Sequence, residues 1–441
     1  MTIHTFGDSH GSNAWQSMPN VKINYHIGPR LCYSIVKESL NIQNFGVVEN
    51  DIVVFSFGEI DCRCHVHKHI TESNTYQMII DSLVERYIEF IKREVSGFKN
   101  IHPCLYPLPP PVDSSNTPED KDYPFRGTNE ERKLYYLYFN KQARAACEST
   151  NITYIDVYDK YADSNGFLNK SLSDGLIHIR DPIYIKEFMC SRFKLPIYYT
   201  ASGTLGDFVL QLSVICEKWK TTGRKGILLI ENPSAWRKSL EDTYKDTYEL
   251  VSTQPYIQEY NIYQGSPSRE HIDISLWDWR YSPLLYKANW YSIYKSTYGD
   301  EWGSHQWLYL PLDEKWESKV FISYPTYRDL VDDIDYKMIL EKYGKENVYF
   351  ISQHKEDYDR FQTAYHLDIE FIKPATLFEF VVMIRSCKLF IGALSAPLTI
   401  AFASYTPCIP AMPPSMQDHI HNINLQHVIP FIQYSKNFKP A

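Results

Sequence analysis

Residues 5–11 read Thr-Phe-Gly-Asp-Ser-His-Gly, and this stretch decides the fold of the first part of the chain. The apolar start at residues 3–6 predicts a short buried strand. Gly7 then begins a sharp turn toward a polar segment, where a helix is predicted to begin. A serine on such a turn stands clear of the sheet, and the helix behind it aims backbone N–H groups at an anion forming beside its Oγ. The stretch therefore predicts a nucleophilic Ser9, and a simple helix cap formed by Asp8 and Ser9 is the alternative.

Two later stretches show the same pattern of a strand followed by a polar loop. Residues 52–57 are an apolar β-run, typical of a central parallel strand, and they lead into Gly-Glu-Ile-Asp-Cys-Arg at residues 58–63. Residues 155–158 are strand-like, and the loop beyond them contains Ser-Asp-Gly-Leu-Ile-His at residues 173–178. This order of blocks resembles that of the SGNH (GDSL-like) hydrolases, and the resemblance covers residues 1–180.

The resemblance implies roles for four residues. Ser9 would be the nucleophile, His178 its general base, and Asp174 the carboxylate that orients the imidazole. The backbone N–H of Ser9 and that of Gly28, a glycine after the second strand, would donate to the oxyanion. In the family two residues separate the last Asp from the His, whereas this chain has three between Asp174 and His178.

The middle block is expected to border the same site through Gly58, Asp61 and Arg63. The family usually has Asn at the position of Ile60, where its side chain completes the oxyanion hole. Either Arg63 or Glu59 compensates for this difference, or the hole is weaker than in the family.

A second resemblance begins at residue 203, where the chain reads Gly-Thr-Leu-Gly-Asp-Phe-Val-Leu-Gln-Leu. A glycine-bearing turn there separates a predicted strand at 197–199 from a predicted helix at 208–220. The motif closely resembles the opening of the ADP-heptose:lipopolysaccharide heptosyltransferase family, which has the GT-B fold of two Rossmann-like domains. The resemblance implies that Asp207 is the catalytic base for the acceptor hydroxyl, and a helix-terminal carboxylate is the alternative.

The last part of that fold is expected to bind the nucleotide sugar that donates the transferred sugar. Residues 392–403 resemble the family's Gly-x-Asp-Ser-Gly-Pro-x-His-x-Ala-x-Ala, in which small residues let a helix N-terminus approach a diphosphate. The family's Asp is Leu394 here and its His is Thr399, so two polar donor contacts are missing. Arg328 could neutralise the departing diphosphate. The positions implied to bind a nucleotide-sugar co-substrate, with no separate cofactor, are Gly206, Arg328, Ser395, Ala396, Pro397 and Thr399.

Together the two resemblances imply an α/β chain, in which a flavodoxin-like SGNH domain precedes a GT-B-like pair of Rossmann-like domains. A chain of 441 residues is expected to form more than one domain. The predicted domains are residues 1–190 (SGNH hydrolase-like), 191–317 (N-terminal Rossmann-like lobe) and 318–441 (C-terminal donor-binding lobe). In the first domain, apolar spacing predicts helices at residues 31–40, 79–95 and 130–150.

Composition argues against several partners. The net charge of −8 argues against non-specific nucleic-acid binding, which needs clustered positive charge. The sequence predicts neither a membrane span nor a signal peptide, so its nine cysteines are expected to be reduced thiols of a cytoplasmic protein. Residues 62–69 are rich in Cys and His, but no second ligand cluster follows, and no metal is predicted. The sequence does not decide whether the chain forms a homo-oligomer.

These observations support three hypotheses about function. The first is a bifunctional glycan-modifying enzyme, with a nucleotide-sugar glycosyltransferase fused to a serine esterase or O-acyltransferase that acts on sugar hydroxyls. The second is a catalytically degenerate glycan-binding or scaffold protein, favoured by Ile60, Leu394 and Thr399. The third is a plain serine esterase with an accessory nucleotide-binding module.

Overall fold

The structure is a computed structural model, and it describes residues 1–18, 21–23, 30–231, 238–265, 272–285, 287–301, 303, 305–330 and 334–411. Contacts within the chain divide it into two compact units, Met1–Phe193 and Lys194–Ala441. The predicted boundary between residues 190 and 191 lies close to this division. It stays a prediction, as does the further boundary between residues 317 and 318.

The first unit is built on a five-stranded sheet in which every neighbouring pair is parallel. Its strands are β1 (Ile3–Gly7), β2 (Val21–Ile23), β3 (Ile52–Ser56), β4 (His102–Leu105) and β5 (Thr153–Tyr154). They lie in the order β2-β1-β3-β4-β5, which is the order of flavodoxin-like sheets. Every residue of β1 and β3 is buried, as expected for central strands with both faces covered.

Six helices accompany this sheet in the part of the first unit that the structure describes. They are α1 (His10–Asn13), α2 (Cys32–Ile35), α3 (Tyr76–Val95), α4 (Asn129–Glu148), α5 (Tyr158–Tyr161) and α6 (Ile183–Phe193). The helices predicted at 79–95 and 130–150 correspond to α3 and α4. The prediction of a helix over residues 31–40 is wrong beyond Ile35. There the chain leaves the helix because Ser39 and the amide of Leu40 both donate to the carboxylate of Glu94 on α3.

The described residues of the second unit form two further sheets, and every strand pair in them is parallel. The strands of one are β6 (Ile197–Ala201), β7 (Gly226–Ile230), β8 (Ile257–Ile262) and β9 (Ile274–Ser275). Those of the other are β10 (Val320–Ser323), β11 (Val348–Ile351), β12 (Glu370–Ile372), β13 (Leu389–Gly392) and β14 (Cys408–Pro410). Their orders, β8-β7-β6-β9 and β12-β11-β10-β13-β14, both follow the 3-2-1-4 pattern of Rossmann-type sheets.

The helices of the second unit lie between these strands in the sequence. They are α7 (Leu205–Thr222), α8 (Leu240–Ser252), α9 (Trp290–Tyr298), α10 (Tyr336–Tyr343), α11 (Lys355–Tyr365), α12 (Leu377–Ser386) and α13 (Ala396–Ala403). Helix α13 is buried from Leu398 onward, and it packs against α7. An α/β chain with parallel sheets is therefore confirmed.

Each unit has its own apolar interior. In the first unit α3 and α4 share one buried cluster with the sheet, in which Phe55 of β3 packs against Phe90 of α3 and both rings are fully buried. In the second unit separate clusters surround Phe390 and Phe361. All nine cysteines are buried free thiols. Within the described residues, no helix combines the length and the apolar run that a bilayer crossing requires.

Candidate active site

Ser9 lies at the turn between β1 and α1, where the residues around it are buried and its own side chain is half-buried. The turn is tight because Gly7 touches β3: a Cβ added at Gly7 would lie 2.4 Å from the backbone oxygen of Ser56. The buried carboxylate of Asp8 accepts the amide hydrogen of His10, with an N to Oδ1 distance of 2.9 Å. A glycine and a buried aspartate therefore fix the turn that presents the serine hydroxyl.

The structure brings Ser9 together with Asp174 and His178. His178 Nδ1 lies 2.7 Å from Asp174 Oδ2, and His178 Nε2 lies 2.8 Å from Ser9 Oγ. When Nδ1 carries the hydrogen and donates to the carboxylate, Nε2 is free to accept the serine hydroxyl hydrogen. Asp174 Oδ1 also accepts the amides of Leu176 and His178, so the loop itself places the carboxylate. The three residues between Asp174 and His178 thus leave the contact intact.

The charge states of this trio suit proton transfer. Burial lowers the pKa of His178, the neighbouring His10 lowers it further, and Asp174 acts in the opposite direction. Burial disfavours the Asp174 carboxylate, but hydrogen bonds from His178 and from the Leu176 amide lower its pKa overall. At neutral pH the imidazole is therefore a free base beside an ionised carboxylate, as a general base and its orienting group require.

A buried charged group, which we call the Glu59 cluster, lies next to this trio and consists of Glu59, Arg63, Tyr136 and His10. Arg63 donates to Glu59 from Nε at 2.8 Å and from Nη2 at 3.2 Å, and the Tyr136 hydroxyl donates at 2.5 Å. His10 Nε2 lies 3.6 Å from Glu59 Oε2. Burial opposes ionisation, but Arg63, His10 and Tyr136 outweigh it and hold the pKa of Glu59 well below its usual range.

The other residues predicted around the oxyanion have different surroundings. Asp61 accepts the amides of Cys32 and Tyr33 at 2.6 and 3.1 Å, so it anchors the start of α2, and burial raises its pKa to about 6. Gly58 has a φ of +115°, and a Cβ there would lie 2.8 Å from the ring of Phe139, so only glycine fits. Gly28 lies outside the described residues. The roles of all three toward the oxyanion stay predictions.

Arg63 is expected from the sequence to border the site, where substrate would lie, and it is one of two residues expected to compensate for Ile60. In the structure its guanidinium is buried, binds Glu59, and donates from Nη1 to the backbone oxygen of Tyr123 at 2.7 Å. Ile60 is itself buried. Arg63 therefore acts on Glu59 in this structure, and a contact with substrate stays a prediction.

A polar cavity of about 720 Å³ lies beside the loop that carries Asp174. Gly175 and Leu176 of that loop form part of its wall, together with the side chains of Lys133, Asp163 and Phe167. Charged side chains of both signs and one aromatic ring therefore line this cavity.

In the second unit Gly206 stands where the N-termini of α7 and α13 meet. A Cβ at Gly206 would lie 3.4 Å from the backbone nitrogen of Ala396 and 3.6 Å from Thr399 Oγ1. Pro397 lies in the first turn of α13. The hydroxyl of Ser395 donates to the backbone oxygen two residues earlier at 3.0 Å, and that of Thr399 donates to the Ser395 backbone oxygen at 3.2 Å. Both hydroxyls serve the helix start, and their binding to a donor stays a prediction.

Asp207 is occupied by neighbours in the structure. Its Oδ1 lies 2.7 Å from Arg280 Nη2, and its Oδ2 accepts the amide and the hydroxyl of Thr204 at 3.3 and 3.0 Å. This arrangement is a capping box closed by an ion pair, and it matches the helix-terminal alternative. The catalytic role of Asp207 stays a prediction.

Arg328 is exposed on the loop after β10. Its guanidinium lies 5.5 Å from the ring centroid of Tyr327, and its backbone oxygen accepts from Arg360 at 2.8 Å. Arg360 thus stabilises the loop, and the predicted contact of Arg328 with a diphosphate is not tested by this arrangement.

Sequence reasoning missed His10 and Tyr136, although the structure places both in the Glu59 cluster. The position of His10 directly after Ser9 was an available signal, because the residue next to a nucleophile on a tight turn stays near it. Tyr136 carries no such signal, since it comes from α4. Among the described residues, no three His, Cys, Asp or Glu side chains stand close enough together to hold a metal ion.

No protein-family model matches the sequence, and no curated protein matches it. Several solved structures are similar. The glycosyl transferase family 9 protein of Veillonella parvula has 13% identity and a TM-score of 0.38, over 54% of this chain and 86% of that chain. E. coli ADP-heptose lps heptosyltransferase II has 12% identity and a TM-score of 0.36, over 53% and 89%. E. coli heptosyltransferase WaaC has 11% identity and a TM-score of 0.34, over 53% and 95%.

Proposed function

We propose that the first unit is a serine-dependent enzyme that moves an acyl group, acetyl in the simplest case, off or onto a sugar hydroxyl. The hydrogen-bond chain from Ser9 through His178 to Asp174 carries this proposal. The motif resemblance of residues 1–180 to the SGNH (GDSL-like) hydrolases supports it separately, because the motifs are properties of the sequence alone.

The reaction would proceed in two halves. As Ser9 Oγ attacks the acyl carbonyl carbon, His178 Nε2 takes its proton and then gives it to the departing oxygen, which leaves an ester on Ser9. Water or a sugar hydroxyl next attacks that ester, and His178 takes the incoming proton and returns it to Ser9 Oγ. Esterase and acyltransferase activity differ only in which hydroxyl enters, so the exclusion of water decides between them.

Backbone donors are proposed to stabilise the oxyanion in each half. The amide of Ser9 and a glycine amide, Gly58 or Gly28, are the candidates. With Ile60 at the position of the family's Asn, no side-chain amide stands there, and the backbone donors carry more of the stabilisation.

A serine-directed fluorophosphonate tests this proposal on the full chain. Wild type should be labelled at Ser9, and Ser9→Ala should remove both the label and any hydrolysis of p-nitrophenyl acetate. Ser171→Ala, which changes another serine of the same unit, should leave both unchanged. Absence of label on a folded wild-type chain would favour the catalytically degenerate, glycan-binding alternative.

We also propose that the second unit binds a nucleotide sugar and transfers its sugar to a glycan acceptor. Two parallel sheets in the 3-2-1-4 order support this proposal, because such sheets bind nucleotides at the carboxyl ends of their strands. The meeting of two helix N-termini at Gly206 and Ala396 adds to it, since helix N-termini favour a diphosphate. Asp207 would accept the acceptor proton through the lone-pair site that Arg280 and Thr204 leave open.

A thermal-shift screen of nucleotide sugars against the full chain tests this second function. A ligand present at about 100 times its Kd should stabilise its unit by about 2.7 kcal/mol. Arg328→Ala should abolish the shift, whereas Lys220→Ala, at an exposed lysine of α7, should preserve it. If no sugar nucleotide shifts the melting temperature and none is hydrolysed, the esterase with an accessory module is the better description.

A further inference from the structure

His10 directly follows the proposed nucleophile and lies against the proposed general base. Only 4% of its surface is exposed, and its ring centroid lies 4.9 Å from that of His178, with the ring planes 49° apart. The proposed mechanism assigns this second imidazole no role. Because His10 is buried and lies beside His178, any charge on His10 acts on the protonation of the His178 ring.

The surroundings of His10 favour its cationic form. The charged groups that face it are Asp8 on the Ser9 turn and Glu59 and Arg63 of the Glu59 cluster, and the titratable ring of His178 lies beside it. Burial disfavours the imidazolium, but the contact with Glu59 and the negative charges of Asp8 and Glu59 raise the pKa of His10 overall. Arg63 and Tyr136 keep Glu59 ionised, so the carboxylate that holds His10 is permanent at neutral pH.

We propose that His10, held as an imidazolium by Glu59, is a positioning residue that keeps His178 in its free-base form beside Ser9. This inference rests on the proposed acyl-transfer function of the first unit. His10 touches neither Ser9 Oγ nor a substrate group in the proposed reaction, so it acts only through His178.

The physical basis is repulsion between like charges at short range. A fixed cation about 5 Å from His178 disfavours a second proton on that ring, and little water intervenes because both rings are largely buried. Asp174 and Glu59 attract a proton to His178 and oppose this effect, whereas burial and His10 act together against protonation. A base of this kind stays available in mildly acidic solution, and its conjugate acid gives up a proton more readily to a leaving oxygen.

The experiment measures the rate of Ser9 labelling by a fluorophosphonate in the full chain between pH 5 and pH 8.5. In the wild type, the midpoint of the pH profile should lie below the ordinary imidazole value of about 6.5. His10→Gln removes the charge and should raise that midpoint by about one pH unit, so the loss of rate is concentrated below pH 7. His10→Lys keeps a cation and should restore the low midpoint. His69→Gln changes an exposed histidine and should leave the midpoint unchanged.

A merely structural role would lower the rate equally at all pH values and leave the midpoint in place, and that result would overturn the inference. An NMR titration of the imidazole carbons in the wild-type chain supplies a second readout. His10 should titrate above the ordinary value and His178 below it. This titration does not depend on catalysis, so it still tests the charge relation if Ser9 proves unreactive. A His10 that is neutral at pH 7 would refute the inference even if His10→Gln fails to fold.

Discussion

Ser9 depends on partners that come from separate parts of the chain and are held in different ways. Gly7 and Asp8 shape its turn through a close backbone approach and a buried carboxylate. Asp174 is placed by two amides of its own loop. His178 connects the Ser9 turn with the Asp174 loop, because one of its ring nitrogens contacts Ser9 and the other contacts Asp174.

Replacing Asp174 with asparagine should therefore damage catalysis more than stability. The neutral amide no longer selects the tautomer with hydrogen on Nδ1, so the labelling rate of Ser9 should fall about 10,000-fold. Asp159→Asn is the matched control, since Asp159 is exposed on α5 of the same unit. A fall of less than about tenfold in the Asp174 variant, measured with a fluorophosphonate, would show that Asp174 does not orient the base.

Single residues differ in how far the sequence could identify them. Ser9, Asp174 and His178 stand in recognisable blocks, and the structure places them within hydrogen-bond distance, although their catalytic roles stay predictions. Glu59 is not one of the motif residues of its block, and its buried contacts form only when α4 brings Tyr136 against it. Such burial of a charge is a three-dimensional property, so no local pattern could have indicated it.

At the scale of elements, the start of α7 combines a helix cap with an ion pair. Thr204 and Asp207 form a capping box, and Arg280, stacked 4.1 Å from the ring centroid of Trp279, binds the same carboxylate. Thr128 and Glu131 form the corresponding box at the start of α4 without a proposed catalytic role.

Asp207→Ala should therefore destabilise the second unit even in the absence of any ligand. We expect a loss of about 1 to 2 kcal/mol from the lost cap and ion pair, which lowers the melting temperature by about 2 to 8 °C. Glu131→Ala removes only a cap and should cost about 1 kcal/mol in the first unit. Calorimetry of both variants measures the difference. An unchanged melting temperature for Asp207→Ala would mean that the contacts seen at this carboxylate carry no stability.

The sequence predicts a helix well where its apolar spacing extends over many residues. It predicts the end of a helix less well where contacts with distant residues determine that end. Helices α3 and α4 have twenty residues each and a clear buried face, and the pattern indicated both. The segment after Ile35 has the same helical spacing, but Glu94 captures Ser39 and Leu40 and ends the helix early. The competing hydrogen bonds come from 54 and 55 residues away, beyond the reach of any local window.

At the scale of the whole molecule, two compact units with separate apolar interiors should unfold as distinguishable transitions. Phe90 is fully buried in the first unit and Phe361 in the second. Phe90→Ala should cost about 3 to 5 kcal/mol and lower one calorimetric transition, and Phe361→Ala should lower the other. A single transition that both substitutions lower equally would show that the chain unfolds as one cooperative body.

The parallel architecture of the whole chain could be predicted because continuous apolar runs, such as residues 52–57, belong in strands covered on both faces. The order of the strands within each sheet could be expected only through the family resemblances. No local pattern shows which strands become neighbours. An amphipathic helix that connects two parallel strands has the same pattern whether or not those strands lie side by side.

The burial of all nine thiols has a practical consequence for following the molecule in solution. A thiol-specific reagent reaches them only when the surrounding structure opens, so the rate of modification reports the free energy of local opening at each cysteine. Cys104 of β4 reports on the first sheet and Cys408 of β14 on the last. A cysteine introduced on the exposed face of α4, at Leu137 for example, would be the fast-reacting position and would accept a single fluorophore without competition.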